Sequence, residues 1–139
     1  MANDRRWAAV VPELACSDFA ASLTFYIDVV GFSVRYSRPG FAYLDLGPAQ
    51  LMIETEAGCW STGERQRPYG RGINLQIEVA DVLALRARIV AAGVGLFRDV
   101  AESWYRADAI ERGQREFLVQ DPDGYLLRFA QDIGTRAPE

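Results

Sequence analysis

Residues 7–31 read WAAVVPELACSDFAASLTFYIDVVG. An apolar run from Trp7 to Leu14 is followed by the polar pair Ser17-Asp18. Then Phe19, Leu23, Tyr26 and Val30 recur at helical spacing, closed by Gly31. The run predicts a strand and the spacing an amphipathic helix, with Ser17 placed to cap its start and Gly31 to end it. The same order returns half a chain later. Ile73 to Val79 alternates apolar and polar, Asp81 follows, Val82, Leu85 and Ile89 share a helical face, and Gly93 closes. Behind each helix lie short extended runs: Ser33 to Tyr36, Phe41 to Leu46 and Gln50 to Glu54, then Gly95 to Asp99, Glu116 to Gln120 and Tyr125 to Ala130. Pro39-Gly40, Gly47-Pro48 and Asp121-Pro122-Asp123-Gly124 mark turns between them. The unit occurring twice, at about 7–56 and 72–131, predicts an α+β fold in one domain of two repeated modules joined by a loop.

Composition narrows the function. The 139 residues, 50% hydrophobic, suffice for one buried core. No apolar run is long enough to span a bilayer, and the first residues lack a secretory leader's apolar segment, so a cytoplasmic location is expected. A net charge of −4 argues against nucleic-acid binding and suits a cationic small molecule. Cys16 and Cys59 form no disulfide framework or CxxC pair. There is no histidine at all, which removes Ser-His-Asp and Cys-His catalysis, and no phosphate loop or dinucleotide fingerprint is present.

Val11-Pro12-Glu13-Leu14, Asp18, Ser22-Leu23, Phe25-Tyr26-Ile27-Asp28 and Gly31-Phe32 resemble the opening signature of the vicinal oxygen chelate superfamily, which includes glyoxalases, extradiol dioxygenases and bleomycin-resistance proteins. Arg115 through Tyr125, REFLVQDPDGY, resembles its closing signature. The resemblance implies two βαβββ modules whose mixed sheets curve into a cup, commonly in a dimer built from the first module of one chain and the second of its partner. Pro12, which cannot donate to a sheet ladder, fits an edge strand or one crossing between chains. By the resemblance, the metal-ligand positions fall on Val11, Glu54, Asn74 and Arg128. Only Glu54 binds a cation well, so no cofactor and no metal are expected.

Side-chain alternation places the cup face. Leu51 and Ile53 are predicted to face the helices, leaving Gln50, Met52 and Glu54 on the concave side. The same parity sends Asn74, Gln76 and Glu78 inward, and Leu126 and Arg128 with them. Glu54 and Arg128 are expected to meet in the cup floor, either as a structural ion pair or as ligand contacts. Beside Arg128, Glu54 would have a lowered pKa and be a poor base near neutral pH.

Phe41 and Tyr43 share a strand face, Trp60 lies in the polar loop from Gly58 to Gly72, and Trp104 and Tyr105 lie in a stretch read as irregular between Val100 and Gly113. Each is a candidate to stack on a planar ligand, or else to pack at a dimer contact or against its own loop. The expected binding set is therefore Phe41, Tyr43, Met52, Glu54, Trp60, Asn74, Gln76, Trp104, Tyr105 and Arg128. With the resemblance, it points to metal-independent sequestration of a planar cationic antibiotic of the bleomycin type. The alternatives are a lyase, isomerase or dioxygenase-like enzyme on the same scaffold, or a binder of another planar natural product.

Overall fold

The computed structural model describes residues 6–139. Its elements run β1 (Glu13–Cys16), α1 (Phe19–Thr24) continued by a π-helical turn (Phe25–Val30), β2 (Ser33–Arg38), β3 (Phe41–Leu46) and β4 (Ala49–Thr55). The second half repeats the order with β5 (Asn74–Glu78), α2 (Val82–Ala91), β6 (Arg98–Ala107), β7 (Ile110–Gln120) and β8 (Leu126–Arg136). Each half forms one four-stranded sheet, ordered β1-β4-β3-β2 and β5-β8-β7-β6. In both, the first strand lies parallel to the last and the other pairs are antiparallel. The sequence repeat is thus two copies of one βαβββ topology, as expected.

Local chemistry explains the boundaries and corrects several. Asp18, not Ser17, caps α1, its Oδ1 accepting from the Ala21 amide at 3.1 Å. Asp81 does the same for α2 through Ala84 at 3.0 Å. Gly31, at φ +104, ends the first helical segment in the left-handed conformation that glycine adopts without a Cβ clash. The first strand is shorter than the run from Trp7, beginning only after Pro12, and it lies at a sheet edge.

The largest correction falls between Val100 and Gly113. The stretch read as irregular is a long hairpin of β6 and β7, paired from Arg98↔Leu118 to Ala107↔Ile110. Charged residues on both strands mask its alternation, and its tight turn uses Asp108 at φ 54 rather than a Gly or Pro signal.

The core cluster draws on both halves, including Leu14, Phe25, Tyr26, Leu44 and Ile53 with Ile77, Ile89, Phe117 and Phe129. A polar junction fastens the halves together. Asp121-Pro122-Asp123-Gly124 turns the chain between β7 and β8 as predicted, but its two carboxylates are also buried. Asp121 accepts from the Tyr26 hydroxyl at 2.8 Å and from the amides of Asp123 and Tyr125 at 3.0 Å. Asp123 accepts from the Ser17 amide at 3.1 Å and Arg67 at 3.0 Å, and also from the Ser17 hydroxyl. Ser17, freed from capping, therefore ties β1 to the second module. Among the described residues no helix is long and apolar enough to cross a membrane.

Candidate functional site

On the first sheet the predicted parity holds. Leu51 and Ile53 enter the core while Gln50, Met52 and Glu54 stand on the opposite face. Register places Phe41 beside Glu54 and Tyr43 beside Met52 on that face. Both rings are covered, however, at 2% and 4% exposure. Arg38 lies 3.7 Å over Phe41, and Tyr36 and Trp7 pack on Tyr43 at 5.4 and 5.0 Å between ring centroids. The Arg6 carbonyl accepts from Gln50 Nε2 at 2.7 Å, and the Ala8 amide donates to Gln50 Oε1 at 2.9 Å, so Trp7 is strapped across the face. Trp7 and Tyr36, which sequence reasoning did not select, are the open aromatics here.

A cleft of about 550 Å³ opens where β1 meets the 59–71 loop and Tyr125. Trp60 stands at its rim fully in solvent, and Glu13, Cys59 and Tyr69 line it. Glu54 lies next to this cleft against Gly58, whose missing side chain leaves room for its carboxylate: a Cβ there would come within 2.8 Å. Loss of solvent, then the hydrogen bond and charge of Glu13, raise the Glu54 pKa against the pull of Arg38. Burial, then the hydrogen bond to Glu13 at 3.2 Å, push the Cys59 thiol up to about 11, so it stays protonated and unreactive near neutral pH. Glu13 could have been found by extending the parity argument one strand further, since it pairs with Met52.

The expected Glu54–Arg128 pair is not formed within one chain. Glu54 belongs to the first sheet and faces Glu13, whereas Arg128 belongs to the second and pairs with Glu116 at 3.7 Å. Within the chain the Glu54 pKa is raised rather than lowered, so it is not weakened as a base there. Around Arg128 the second sheet carries Gln76, opposite it in register, and Tyr105, whose hydroxyl donates to Glu116 at 2.7 Å. Asn74 lies on the same strand parity as Gln76 and is exposed. Trp104 is separated from this group: it packs on Gly113 and Ile133 beneath Arg136, whose guanidinium lies 4.2 Å over its ring.

The four metal positions implied by the resemblance do not fit a metal. Val11 has no donor atom and Asn74 only a neutral one, Glu54 shares hydrogen bonding with Glu13, and Arg128 presents a permanent positive charge without a lone pair. Among the described residues no group of three or more His, Cys, Asp or Glu side chains is placed to hold an ion.

Fold and face together define a protein of two βαβββ modules with polar and aromatic side chains on the open sides of its sheets. Residues 8–129 match the family model of the Glyoxalase/Bleomycin resistance protein/Dioxygenase superfamily, and the chain belongs to that superfamily. Bleomycin resistance proteins of Geobacillus stearothermophilus and Staphylococcus aureus are each 26% identical over 133 residues, covering 88% of this chain and 96% of the relative. Among solved structures, TioX from Micromonospora sp. ML1 shares the fold with a TM-score of 0.68 at 22% identity, covering 91% of this chain and 100% of TioX. A protein of unknown function from Agrobacterium tumefaciens str. C58 gives 0.66 at 28% identity, covering 93% and 97%.

Proposed function

We propose that the protein is a metal-independent binder that sequesters a planar cationic antibiotic of the bleomycin type in the cytoplasm and so confers resistance. The observation that carries this reading is Arg128: a guanidinium paired with a buried carboxylate stands where the superfamily resemblance implies a metal ligand. What remains is a binding surface. Glu13 offers negative charge in the cleft, with Glu54 beside it, and Trp60, Tyr69 and Tyr125 offer rings to a flat cation. The names of the curated relatives support the same ligand class. The free cysteines suit a reducing compartment.

The protein is further proposed to work as a homodimer, each cup combining the first module of one chain with the second of its partner. Among the described residues the two sheets share no strand pairing, and β1 is an open edge. A thermal-shift screen of metal-stripped protein tests the ligand class, because a ligand at about 100 times its dissociation constant adds about 2.7 kcal/mol. Stabilisation by bleomycin and none by transition metals is expected; stabilisation by metals alone would overturn the reading.

One observation favours a second reading. The raised Glu54 pKa, beside Glu13, suits a general acid–base role that a metal-free lyase or isomerase would use. Turnover of any candidate substrate that is lost in Glu54→Gln but kept under chelation would favour it over sequestration.

A further inference from the structure

A recess of about 280 Å³ opens on the second sheet between Gln76, Tyr105, Arg112, Gln114 and Arg128. Beneath it lies Glu116, only 4% exposed. Its Oε1 accepts from the Tyr105 hydroxyl, while its Oε2, 3.7 Å from Arg128 Nη1, has no hydrogen-bond partner; neither has Arg128 Nε. A buried carboxylate normally has its oxygens filled by donors. Here the pair holds the guanidinium at the recess wall and leaves its hydrogen bonding unspent. The carboxamides of Gln76 and Gln114 reach the same recess from β5 and β7, and neither is engaged by a hydrogen bond among the described residues.

The local charges cancel, Arg128 against Glu116 and Arg112 against Asp132 at 3.5 Å. A cation entering would meet two guanidinium groups, and an anion would be set against the buried Glu116. A neutral group with a donor and an acceptor in one plane meets neither penalty. We infer that this recess binds a neutral carboxamide group of the ligand, Arg128 donating to its carbonyl oxygen and the side-chain oxygens of Gln76 and Gln114 accepting from its N–H. The inference rests on the small-molecule-binding reading and extends it to the second module, assigning the cationic part of the ligand to the Glu13–Glu54 cleft.

Three pyridines with one ring and different heads test it by 1H–15N NMR titration: nicotinamide, the anion nicotinate and the cation 3-(aminomethyl)pyridine. Nicotinamide alone is expected to shift the side-chain amide signals of Gln76 and Gln114. Both Gln76→Leu and Arg128→Met should weaken it about tenfold, the loss of roughly one hydrogen bond. Gln76 is exposed, so its variant should remain folded. A stronger response to either charged head, a response away from the recess, or no response to any of the three overturns the assignment. Bleomycin is titrated in parallel. Protein that binds the drug and ignores nicotinamide refutes the recess alone, and protein that does the reverse refutes the drug alone.

Discussion

Asp121 shows how one buried carboxyl makes the junction between modules sensitive to pH. Burial raises its pKa from the ordinary 3.8 to about 6, although Tyr26 and two amides donate to it. Between those values the folded chain holds a proton that the unfolded chain has released. The group's stabilisation is therefore complete below about pH 4 and lost as pH rises through 6, about 2–3 kcal/mol in all. Urea unfolding across that window should show stability falling with pH in wild type and a flatter profile in Asp121→Asn; equal slopes would contradict the assignment. Asp99, held near 2 by Arg86, acts in the opposite sense but at lower pH and in solvent, so the two windows separate. Glu116 and Arg128 supply a second test. Arg128→Leu should destabilise by about 2–4 kcal/mol, somewhat below a fully buried pair, and Glu116→Leu/Arg128→Leu by less. Equal losses in Arg128→Leu and in the double variant in denaturant melts would contradict the pairing described. The facing of Glu54, Gln76 and Arg128 was legible from alternation, because one face of each strand is buried. Their partners were not legible, since parity fixes a face and says nothing of which strand from which sheet lies opposite.

Elements were readable where a local rule dominates. Capping and left-handed glycine put Asp81, Gly31 and Gly93 where the helices begin and end. Ser17 misled because its hydroxyl had a stronger, distant use at Asp123, a tertiary demand that outbids a local cap. Asp18→Ala and Asp81→Ala should each cost about 1 kcal/mol in thermal melts. Ser17→Ala should also destabilise, but through the module junction, so its effect should shrink in an Asp123→Asn background. The β6–β7 hairpin escapes sequence patterning because Arg and Glu interrupt both strands and no Asn-Gly or Asp-Gly marks the turn. Trp104 was consequently taken for a loop aromatic, when it fills the space over Gly113. Gly113→Ala would drive a Cβ to within 2.7 Å of the Trp104 ring and 2.8 Å of Ile133. A loss of about 1–3 kcal/mol is expected, with Trp104 fluorescence reporting the displaced ring.

At the scale of the molecule, the repeat in the sequence and the repeat in the sheets are the same fact, and one core cluster draws on both halves. Trp7, Trp60, Ile73 and Phe97 are each largely exposed, and the proposed partner chain and ligand would cover some of them. Sedimentation should give a homodimer at micromolar concentration; a stable monomer that still binds ligand would contradict the shared cup. The overall topology was legible because two signatures and a period survive in one sequence, whereas the lining of the cup depends on loops and on Trp7 folding back, which no local pattern encodes. The most direct test of metal-independent sequestration is isothermal titration of bleomycin into metal-stripped protein with chelator present. Saturable binding is expected that chelator leaves unchanged and that Trp60→Ala weakens without unfolding the protein. No binding, or binding that appears only when a metal is restored to the protein, would contradict it.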